Sequence, residues 1–425
     1  MKKLLLLLMY ISFSIISNAQ SFKNILIDQA PASHGPEEPT ICINYLDTNL
    51  VMAGVNIKNT YLSRDGGRTW TKRSSRSKYG VYGDPCIIST SNGKFLYFHL
   101  SLPKGQPYVH ESFLDRIVCQ YSKSKHKKFN KGKYMGYHPP KDQDKEWAVY
   151  DYQRNRTYVT WTQFDTYGSK DPQDKSVIRL SYSDNDGKSW STAETISKIP
   201  GNCIDDDQTA EGAVPAIGLN GEAHVAWAND DKIYFTTYQQ NDTIHTEKVI
   251  AQQIGGWNQA VEGLNRTNGM PITVSDMSNS PHRGTIYVCW SDQRNGELNT
   301  DIFLIKSTDA GKSWSQPLMI NDDSGSQHQF LPWLTIDQTT GYLYTIFYDR
   351  RNYNDNQTDV YVAVSKDGGV TFTNHKISEK PFTPIPHVFF GDYINISAHQ
   401  GMVRPIWTRY ENGQLSVWTA ILRGL

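Results

Sequence analysis

The chain lacks an excess of either charge, and this absence limits the partners it can have. Lysine and arginine together number 43, and aspartate and glutamate together number 43, so the formal net charge is zero. A balance of this kind provides no general attraction for nucleic acid or for an anionic membrane surface. We therefore expect neither partner, and we expect any binding specificity to come from local groups.

Long apolar runs are also scarce. The run from Leu4 to Ile16 follows Met1-Lys2-Lys3 and precedes Ser17-Asn18-Ala19. This pattern predicts a signal peptide over residues 1–19, cleaved before Gln20, and hence an exported protein that is periplasmic or secreted. No later run approaches the roughly 18 apolar residues of a membrane-spanning helix, so the sequence predicts no membrane span.

Cysteine is the third scarce feature, with five residues in 425. Cys42, Cys86, Cys119 and Cys289 lie in apolar, strand-like segments, and their spacing is unlike that of a metal site. Buried free thiols are the favoured interpretation, with a disulfide framework as the alternative.

What recurs in the chain is an eight-residue motif. Ser307-Thr-Asp-Ala-Gly-Lys-Ser-Trp314 has counterparts at Ser63, Ser183 and Ser365, and a degenerate copy, Ser122-Lys-Ser-Lys-His-Lys-Lys-Phe129, keeps only the ends. The acid or amide caps backbone N–H groups, glycine permits positive φ, and the last aromatic packs into a core, so each copy predicts a turn. The starts at 63, 122, 183, 307 and 365 follow a period near 60, which predicts a repeat architecture.

Each period divides into four short strands, most clearly at Trp333 to Ile336, Tyr342 to Phe347, Val360 to Val364 and Phe372 to Ile377. The second strand of the unit can be counted seven times, starting at Val51, Phe95, Tyr158, His224, Ile286, Tyr344 and Val403. We therefore predict an all-β, seven-bladed β-propeller as a single domain over residues 20–425, with a six-bladed propeller as the alternative. The last unit has only three strands, so the strand from Phe22 to Ile27 is expected to close the last blade.

Strand order assigns candidate chemistry to one face of this ring. The loops between second and third strands, and those between blades, gather on one face, and the repeated turns lie on the other. On the loop face, blades two and three place these polar residues: Tyr82, His99, His110, Gln163, Asp165, Tyr167 and Arg179. Two histidines, a tyrosine and an arginine make an acid/base set beside a carboxylate-binding cation. For His99 alone, a histidine satisfied at a strand end is an equally good interpretation.

Charges also follow second strands of later blades. Arg294 and Arg350 suit a carboxylated ligand because a guanidinium pairs with a carboxylate through two hydrogen bonds. The alternative is that both brace neighbouring blades through ion pairs. Asp207 and Glu211 are candidate ligands for a structural Ca²⁺, although a solvated acidic loop is the favoured interpretation, and we expect no required cofactor.

The repeated motif resembles the Asp-box of the sialidase superfamily. The resemblance implies a propeller fold and a carbohydrate-active function. Sialidases are six-bladed, and their first substrate-binding arginine comes from an Arg-Ile-Pro motif near the N-terminus. This chain has no Arg-Ile-Pro motif, and its repeats predict seven blades. Sialidase activity therefore does not follow from the Asp-boxes.

A closer resemblance is to seven-bladed polysaccharide lyases of the ulvan lyase kind and to the related L-rhamnosidases. It is carried by Gly80-Val-Tyr-Gly-Asp-Pro85, Tyr97-Phe-His-Leu-Ser101, Leu114-Asp-Arg-Ile-Val118, Asp144-Lys-Glu-Trp147 and Thr160-Trp-Thr-Gln-Phe-Asp165. The resemblance implies a histidine and a tyrosine as base and acid, and an arginine that neutralises a uronate. His99, Tyr167 and Arg179 match these roles, with His110 as a second histidine. The rhamnosidases use a histidine near the first turn of the opposite face, where Asn44-Tyr-Leu-Asp-Thr-Asn49 has none.

These observations predict a monomeric, secreted lyase that cleaves a uronic-acid-containing, ulvan-like polysaccharide by β-elimination. Its substrate-binding residues would be Tyr82, His110, Gln163, Asp165, Arg294 and Arg350. Two alternatives stay open. One is a glycoside hydrolase with an acid pair such as Asp165 and Glu211, and the other is a propeller that binds glycans without cleaving them.

Overall fold

A computed structural model describes residues 22–102, 113–123, 126, 128–240, 246–422 and 425. The predicted signal peptide lies outside these residues. They contain no helix that is long and apolar enough to cross a membrane. Nearly all regular structure is antiparallel β-sheet, in seven four-stranded sheets and one two-stranded hairpin.

The chain begins with strand β1 (Asn24–Pro31) and a 3-10 turn (Ala32–His34). Blade 1 contains β2 (Thr40–Ile43), β3 (Val51–Val55), β4 (Asn59–Ser63) and β5 (Thr71–Ser74). Blade 2 contains β6 (Cys86–Ser89), β7 (Phe95–Leu100), β8 (Ile117–Tyr121) and β9 (Lys133–Met135). Blade 3 contains β10 (Asp142–Asp151), β11 (Arg156–Phe164), β12 (Ser176–Ser183) and β13 (Glu194–Thr195).

Blade 4 contains β14 (Glu211–Ile217), β15 (Ala223–Asn229), β16 (Lys232–Tyr238) and β17 (Lys248–Gln252). A hairpin, β18 (Asn258–Gln259) and β19 (Thr267–Asn268), precedes blade 5, which contains β20 (Ile272–Ser275), β21 (Ile286–Asp292), β22 (Asp301–Ser307) and β23 (Leu318–Met319). Blade 6 contains β24 (Gln329–Asp337), β25 (Tyr342–Asp349), β26 (Asp359–Ser365) and β27 (Thr373–Lys376). Blade 7 contains β28 (Asn395–His399), β29 (Met402–Glu411) and β30 (Gln414–Ala420).

The ring closes as the sequence predicted. Strand β1 pairs antiparallel with β30, with Asn24 opposite Ala420, and so becomes the fourth strand of blade 7. This pairing satisfies two strand edges that an open array would expose to other chains. The seven-bladed prediction is confirmed, and the six-bladed alternative is wrong.

The second strands of the blades are buried on both faces, which explains why they were easy to find in the sequence. Every residue of β3, β7, β15 and β21 is buried. A strand covered on both sides needs a nearly continuous apolar run, and such runs stand out from the polar turns around them.

The Asp-box turns owe their recurrence to a fixed set of hydrogen bonds. In the copy at Ser307, the amide of Gly311 donates to the Ser307 hydroxyl at 2.9 Å, and the amide of Ser313 donates to Asp309 at 2.9 Å. The copies at Ser63 and Ser365 repeat both bonds. The degenerate copy at Ser122 differs, because its hydroxyl accepts from the amide of Phe95 and contacts His126. The Asp-box is therefore a structural turn.

Candidate functional site

The innermost strands of the ring begin with an unusual backbone conformation. In five blades a residue near the start of the innermost strand has positive φ, just before the strand in blades 1 and 2 and at a break in pairing within the strand in blades 3, 4 and 6: Glu38 (52°), Asp84 (47°), Lys145 (54°), Gly212 (76°) and Leu331 (50°). Residues other than glycine rarely adopt this conformation, and it is concentrated at functional sites. We call the ring face where these strands begin the upper mouth, and the face with the Asp-box turns the lower mouth.

Asp392 is the centre of an ion-pair network at the upper mouth. The loop before β28 carries Asp392, whose carboxylate accepts from Lys145 Nζ at 2.7 Å and from Arg266 Nε and Nη2 at 2.7 and 2.6 Å. Burial opposes ionisation, but Lys145 and Arg266 outweigh it and hold the pKa of Asp392 below its usual value. The side chain of Asp392 is only 2% exposed. Through its ion pairs with Lys145 and Arg266, this carboxylate connects blade 7 with blade 3 and with the hairpin before blade 5.

Arg266 links this network to Tyr167. The second carboxylate partner of Arg266 is Asp205, at 2.9 Å from Nη1, and the Tyr167 hydroxyl donates to the same Asp205 oxygen at 2.8 Å. Burial and then the charges of Asp144 and Asp205 raise the pKa of Tyr167, so its phenol stays protonated. Tyr167 and Arg266 are both partly exposed, and Asp205 less so. A phenol and a guanidinium thus stand side by side at the opening.

Several carboxyl groups of the upper mouth have raised pKa values. Burial, followed by the negative charge of Asp205, raises the pKa of Glu211 well above its usual value. Burial also raises the pKa of Asp144 to about 8, and burial with the charges of Asp84 and Asp392 raises that of Glu38. In contrast, Arg266 and Lys145 overcome burial and lower the pKa of Asp205, with a further contribution from the hydrogen bond that Tyr167 donates to it. Pairs of carboxyl groups with diverging pKa values are typical of sites that transfer protons.

An aromatic floor lies below these charges. The Trp147 ring lies 4.3 Å from that of Trp333 and 4.8 Å from that of Tyr393. Below the floor, a cavity of about 780 Å³ is lined by the innermost strands and opens among the turns of the lower mouth. The floor separates the charged upper mouth from this cavity, whose lining is mostly uncharged and whose rim includes the stacked rings of Tyr45 and Tyr152.

Among the predicted catalytic residues, Tyr167 lies in the upper mouth and His99 does not. His99 is fully buried in blade 2, and its Nδ1 lies 2.8 Å from the Leu100 carbonyl oxygen. Burial lowers its pKa to about 4, so the imidazole is neutral. Placing its side chain at the mouth was wrong, because the strand directs it beside Tyr97, at 5.1 Å between rings. His110 lies outside the described residues.

Arg179 also lies apart from Tyr167. It is in the third strand of blade 3, pairs with Thr195, and donates to the Ala193 carbonyl oxygen at 2.8 Å. Gln163 is buried, and its Oε1 lies 3.4 Å from Nδ1 of His138. Asp165 forms an ion pair with Lys141. None of these three residues is in the Asp392 network, and their substrate roles stay predictions.

The remaining predicted residues have structural contacts. The Tyr82 ring packs against Phe113 at 5.3 Å. Arg294 pairs with Asp292, and Arg350 is buried and donates to the Glu262 carbonyl oxygen at 2.7 Å. The Arg294 ion pair lies within its own blade, and the Arg350 bond is to a backbone carbonyl, so the substrate roles of both arginines stay predictions.

The two candidate calcium ligands, Asp207 and Glu211, have different contacts. Asp207 accepts from the amide of Asn258 at 2.7 Å, whereas Glu211 lies beside Asp205. Within the described residues, no three His, Cys, Asp or Glu side chains are grouped so as to hold a metal ion.

The sequence did not single out Arg266 or Asp392, and Lys145 stood out only as part of the motif Asp144-Lys-Glu-Trp147. A local signal exists for some of the mouth residues, since acid-proline pairs begin two innermost strands at Glu38-Pro39 and Asp84-Pro85, and Leu331-Pro332 begins a third. Proline just before a strand marks the boundary of a blade, and the residue before it enters the mouth. No comparable signal marks Arg266 or Asp392.

Comparisons with known proteins agree with this architecture. A family profile described as BNR/Asp-box repeat matches residues 61–72, the turn that precedes β5. The protein is a seven-bladed Asp-box propeller. No curated protein sequence matches the chain.

Solved structures resemble the propeller in fold at low sequence identity. An ulvan lyase of polysaccharide lyase family PL25 is 10% identical with a TM-score of 0.56, over 94% of this chain and 95% of that one. The NanB sialidase of Streptococcus pneumoniae is 9% identical with a TM-score of 0.52, over 88% and 83%. A protein of unknown function from Dyadobacter fermentans is 12% identical with a TM-score of 0.52, over 82% and 96%. The fold is therefore one that carbohydrate-active enzymes use, and the reaction must be argued from the site.

Proposed function

We propose that this propeller cleaves a polysaccharide at the upper mouth, and that the reaction is β-elimination at a uronic acid. The observation that carries the proposal is the shared Asp205 oxygen, which brings the Tyr167 hydroxyl and the Arg266 guanidinium together within hydrogen-bonding distance of one atom. Elimination beside a carboxylate needs a proton-transfer group next to a cation.

Arg266 takes the role that sequence reasoning gave to Arg179. A guanidinium has five N–H groups, and Asp392 and Asp205 accept from three of them. The other two are available to a substrate carboxylate, and the side chain is 32% exposed. When Arg266 pairs with the uronate carboxylate, it offsets the negative charge of that group. The pKa of the C–H group on the adjacent ring carbon is lowered as a result.

Tyr167 takes the role of proton carrier. As the C5–H bond breaks, the Tyr167 oxygen accepts the proton while its own hydroxyl proton moves to Asp205 along the existing hydrogen bond. The C5 electron pair forms the C4–C5 double bond and the C4–O bond breaks. Tyr167 then donates a proton to the departing glycosidic oxygen and regains one from Asp205, so the enzyme returns to its starting state.

Hydrolysis is the second candidate, and the contrast between the lowered pKa of Asp205 and the raised pKa of Glu211 favours it. The acid pair would then be Asp205 and Glu211, because Asp165 is engaged with Lys141. We rank hydrolysis below elimination because Glu211 is less exposed than Tyr167. Glu211 is fully buried and reaches a glycosidic oxygen only through Asp205, whereas Tyr167 is partly exposed.

The test is product analysis on a panel of uronate-containing and neutral polysaccharides. Elimination produces an ultraviolet-absorbing conjugated double bond with each new reducing end, and hydrolysis produces reducing ends alone. We expect Tyr167→Phe to lower elimination by about 100-fold or more, the usual effect of losing a general acid/base group. Tyr152→Phe, at the lower mouth, is the matched control and should keep full activity.

Two results would contradict the proposal. Reducing ends without absorbance would establish hydrolysis. Binding without any new ends, across uronate polymers of varied linkage, would establish the non-catalytic alternative.

A further inference from the structure

Blade 2 concentrates positive charge in a chain whose net charge is zero. Residues 116–141 contain seven lysines, one arginine and no acidic residue, and residues 66–83 contain five lysines and arginines and again no acid. The first segment includes the degenerate Asp-box copy, in which Ser124 replaces the acid, His126 replaces the glycine and four lysines occupy positions 123, 125, 127 and 128. Neither the Asp-box turn nor the proposed reaction accounts for this composition.

The structure places the two segments next to each other. The Lys78 amide donates to the Lys131 carbonyl oxygen at 3.0 Å, and Gln120 Nε2 donates to the Arg76 carbonyl oxygen at 3.0 Å. The Arg73 guanidinium donates to the His126 carbonyl oxygen at 2.5 Å. The two segments are therefore adjacent in the fold.

Most of this charge is uncompensated within the protein. Among the described residues, no Asp or Glu lies within ion-pair distance of Lys78, Lys128, Lys131 or Lys133, which we call the basic strip. Lys128, Lys131 and Lys133 are exposed. Burial and then the charges of Arg64 and Arg73 lower the pKa of nearby His126, as expected where positive groups repel. A surface of this kind attracts a polyanion.

Three tyrosines lie beside the strip around one arginine. The Arg116 guanidinium lies 4.1 Å from the centre of the Tyr137 ring and 4.9 Å from the centres of the Tyr79 and Tyr134 rings. Tyr134 and Tyr137 are 43% and 49% exposed, which is high for large aromatic side chains. We call these three rings the tyrosine platform. Exposed phenol rings with a cation among them offer a stacking surface for the apolar face of a sugar and hydrogen bonds for its polar edge.

The platform connects directly with the upper mouth. Tyr79 begins the short segment that ends at Asp84, which lies 3.8 Å from Lys145. Tyr137 precedes Asp142, whose carboxylate accepts from the amide of Tyr167 at 2.8 Å. A chain bound on the platform is thus guided by both segments toward the proposed reaction centre.

We propose that the basic strip and the tyrosine platform together bind an acidic polysaccharide and lead it into the upper mouth. The proposal rests on the proposed function in taking a polysaccharide as the ligand, and it adds that the ligand is anionic well beyond the residue being cleaved. We take a polysaccharide as the ligand because the reaction proposed at the upper mouth uses one, and duplex DNA is therefore one of the probes in the test.

The test is binding of the full chain to four probes: a polyuronate, neutral dextran, duplex DNA and vesicles of anionic phospholipid. The strip variant combines Lys128→Ala, Lys131→Ala and Lys133→Ala. Its matched control removes three exposed lysines from other parts of the ring, with Lys170→Ala, Lys188→Ala and Lys312→Ala. The platform variant is Tyr137→Ala. Thermal unfolding of each variant shows whether it is folded.

We expect the wild type to bind the polyuronate and not to bind dextran. Its affinity for the polyuronate should fall steeply as the salt concentration rises, because each lysine contact releases counterions. The strip variant should bind about tenfold more weakly, the platform variant should also weaken, and the control should match the wild type. Equal binding of strip and control variants, or equal or tighter binding of DNA or vesicles than of polyuronate, would overturn the inference.

Cleavage separates this inference from the proposed function. If short oligosaccharides are cut equally by the wild type and the strip variant while polymer cleavage slows, both proposals hold. If the wild type binds polyuronate through the strip but cleaves nothing, the proposed function fails and the binding surface stands. Cleavage that is unaffected by the strip variant on long polymers would refute the binding surface alone.

Discussion

Replacing Asp392 with asparagine tests the ion-pair network that defines the upper mouth. The substitution keeps the size of the side chain and removes its charge. Of its two ion pairs among the described residues, Lys145, whose side chain is 8% exposed, would keep the one with Asp84 at 3.8 Å, and Arg266 would lose the partner of its Nε and Nη2 groups. Two cations would then lie near the ring axis without their main counter-charge.

The expected cost follows from the burial of the network. Removing one partner of a buried ion pair destabilises a protein by about 3–5 kcal/mol, because the other charge stays desolvated. Arg266 is partly exposed and water can solvate it, so we expect the lower end of that range, about 3 kcal/mol. Adding Lys145→Met removes one of the stranded cations, and the double variant should recover at least about 1 kcal/mol relative to the sum of the single changes.

Urea unfolding followed by tryptophan fluorescence measures these differences. Asp230→Asn is the control, because it removes an aspartate from an exposed ion pair with Lys232 and should leave stability unchanged. The pKa of Asp392 is lowered in the folded protein, so its contribution is present at neutral pH and is lost as the pH falls through that lowered value. An Asp392→Asn midpoint equal to that of the wild type would refute the network as a source of stability, and so would strictly additive effects.

Three further predictions follow from buried groups. Asp144→Asn should flatten the pH dependence of stability. Burial raises the pKa of this carboxyl to about 8, so its contribution to stability is fully present below the pKa of the unfolded chain and is lost as the pH rises toward 8. Urea unfolding midpoints measured between pH 4 and pH 8 check this, and a pH dependence equal to that of the wild type would contradict it. His99→Gln should keep the wild-type rate of cleavage, because His99 is fully buried, and should change only the unfolding midpoint. Loss of activity in a folded His99→Gln variant would show that His99 takes part in the reaction. Ser307→Ala should cost about 1–3 kcal/mol by leaving the Gly311 amide without its acceptor, and a stability equal to that of the wild type would refute the structural role of the Asp-box hydroxyl.

The architecture could be predicted because it is encoded locally. Each Asp-box is eight residues long, and each second strand is a short apolar run, so seven units could be counted without knowing how they pack. Closure by the N-terminal strand followed from the count, since a unit of three strands leaves an edge that a neighbouring strand must cover. The observed strands extend the predicted ones by a few residues, as β29 (Met402–Glu411) extends the run found at Val403.

The site could not be predicted in the same way, because its members are distant in sequence. Lys145 and Asp392 are 247 residues apart, and Arg266 and Asp392 are 126 apart. No local periodicity links such pairs, and the ring geometry alone brings them together. His99 illustrates a second difficulty, since its position at a strand end was predicted correctly while the face of the strand was not. Tyr167 was placed at the mouth because its loop was assigned to the right face.

The measurement that tests the central claim most directly is the activity of Tyr167→Phe on a polyuronate, read by the absorbance of the unsaturated product. The account predicts that the wild type forms this product, that Tyr167→Phe is slower by about 100-fold or more with its fold intact, and that Tyr152→Phe is unchanged. Wild-type rates in Tyr167→Phe would contradict the claim that the Tyr167, Asp205 and Arg266 cluster is the reaction centre.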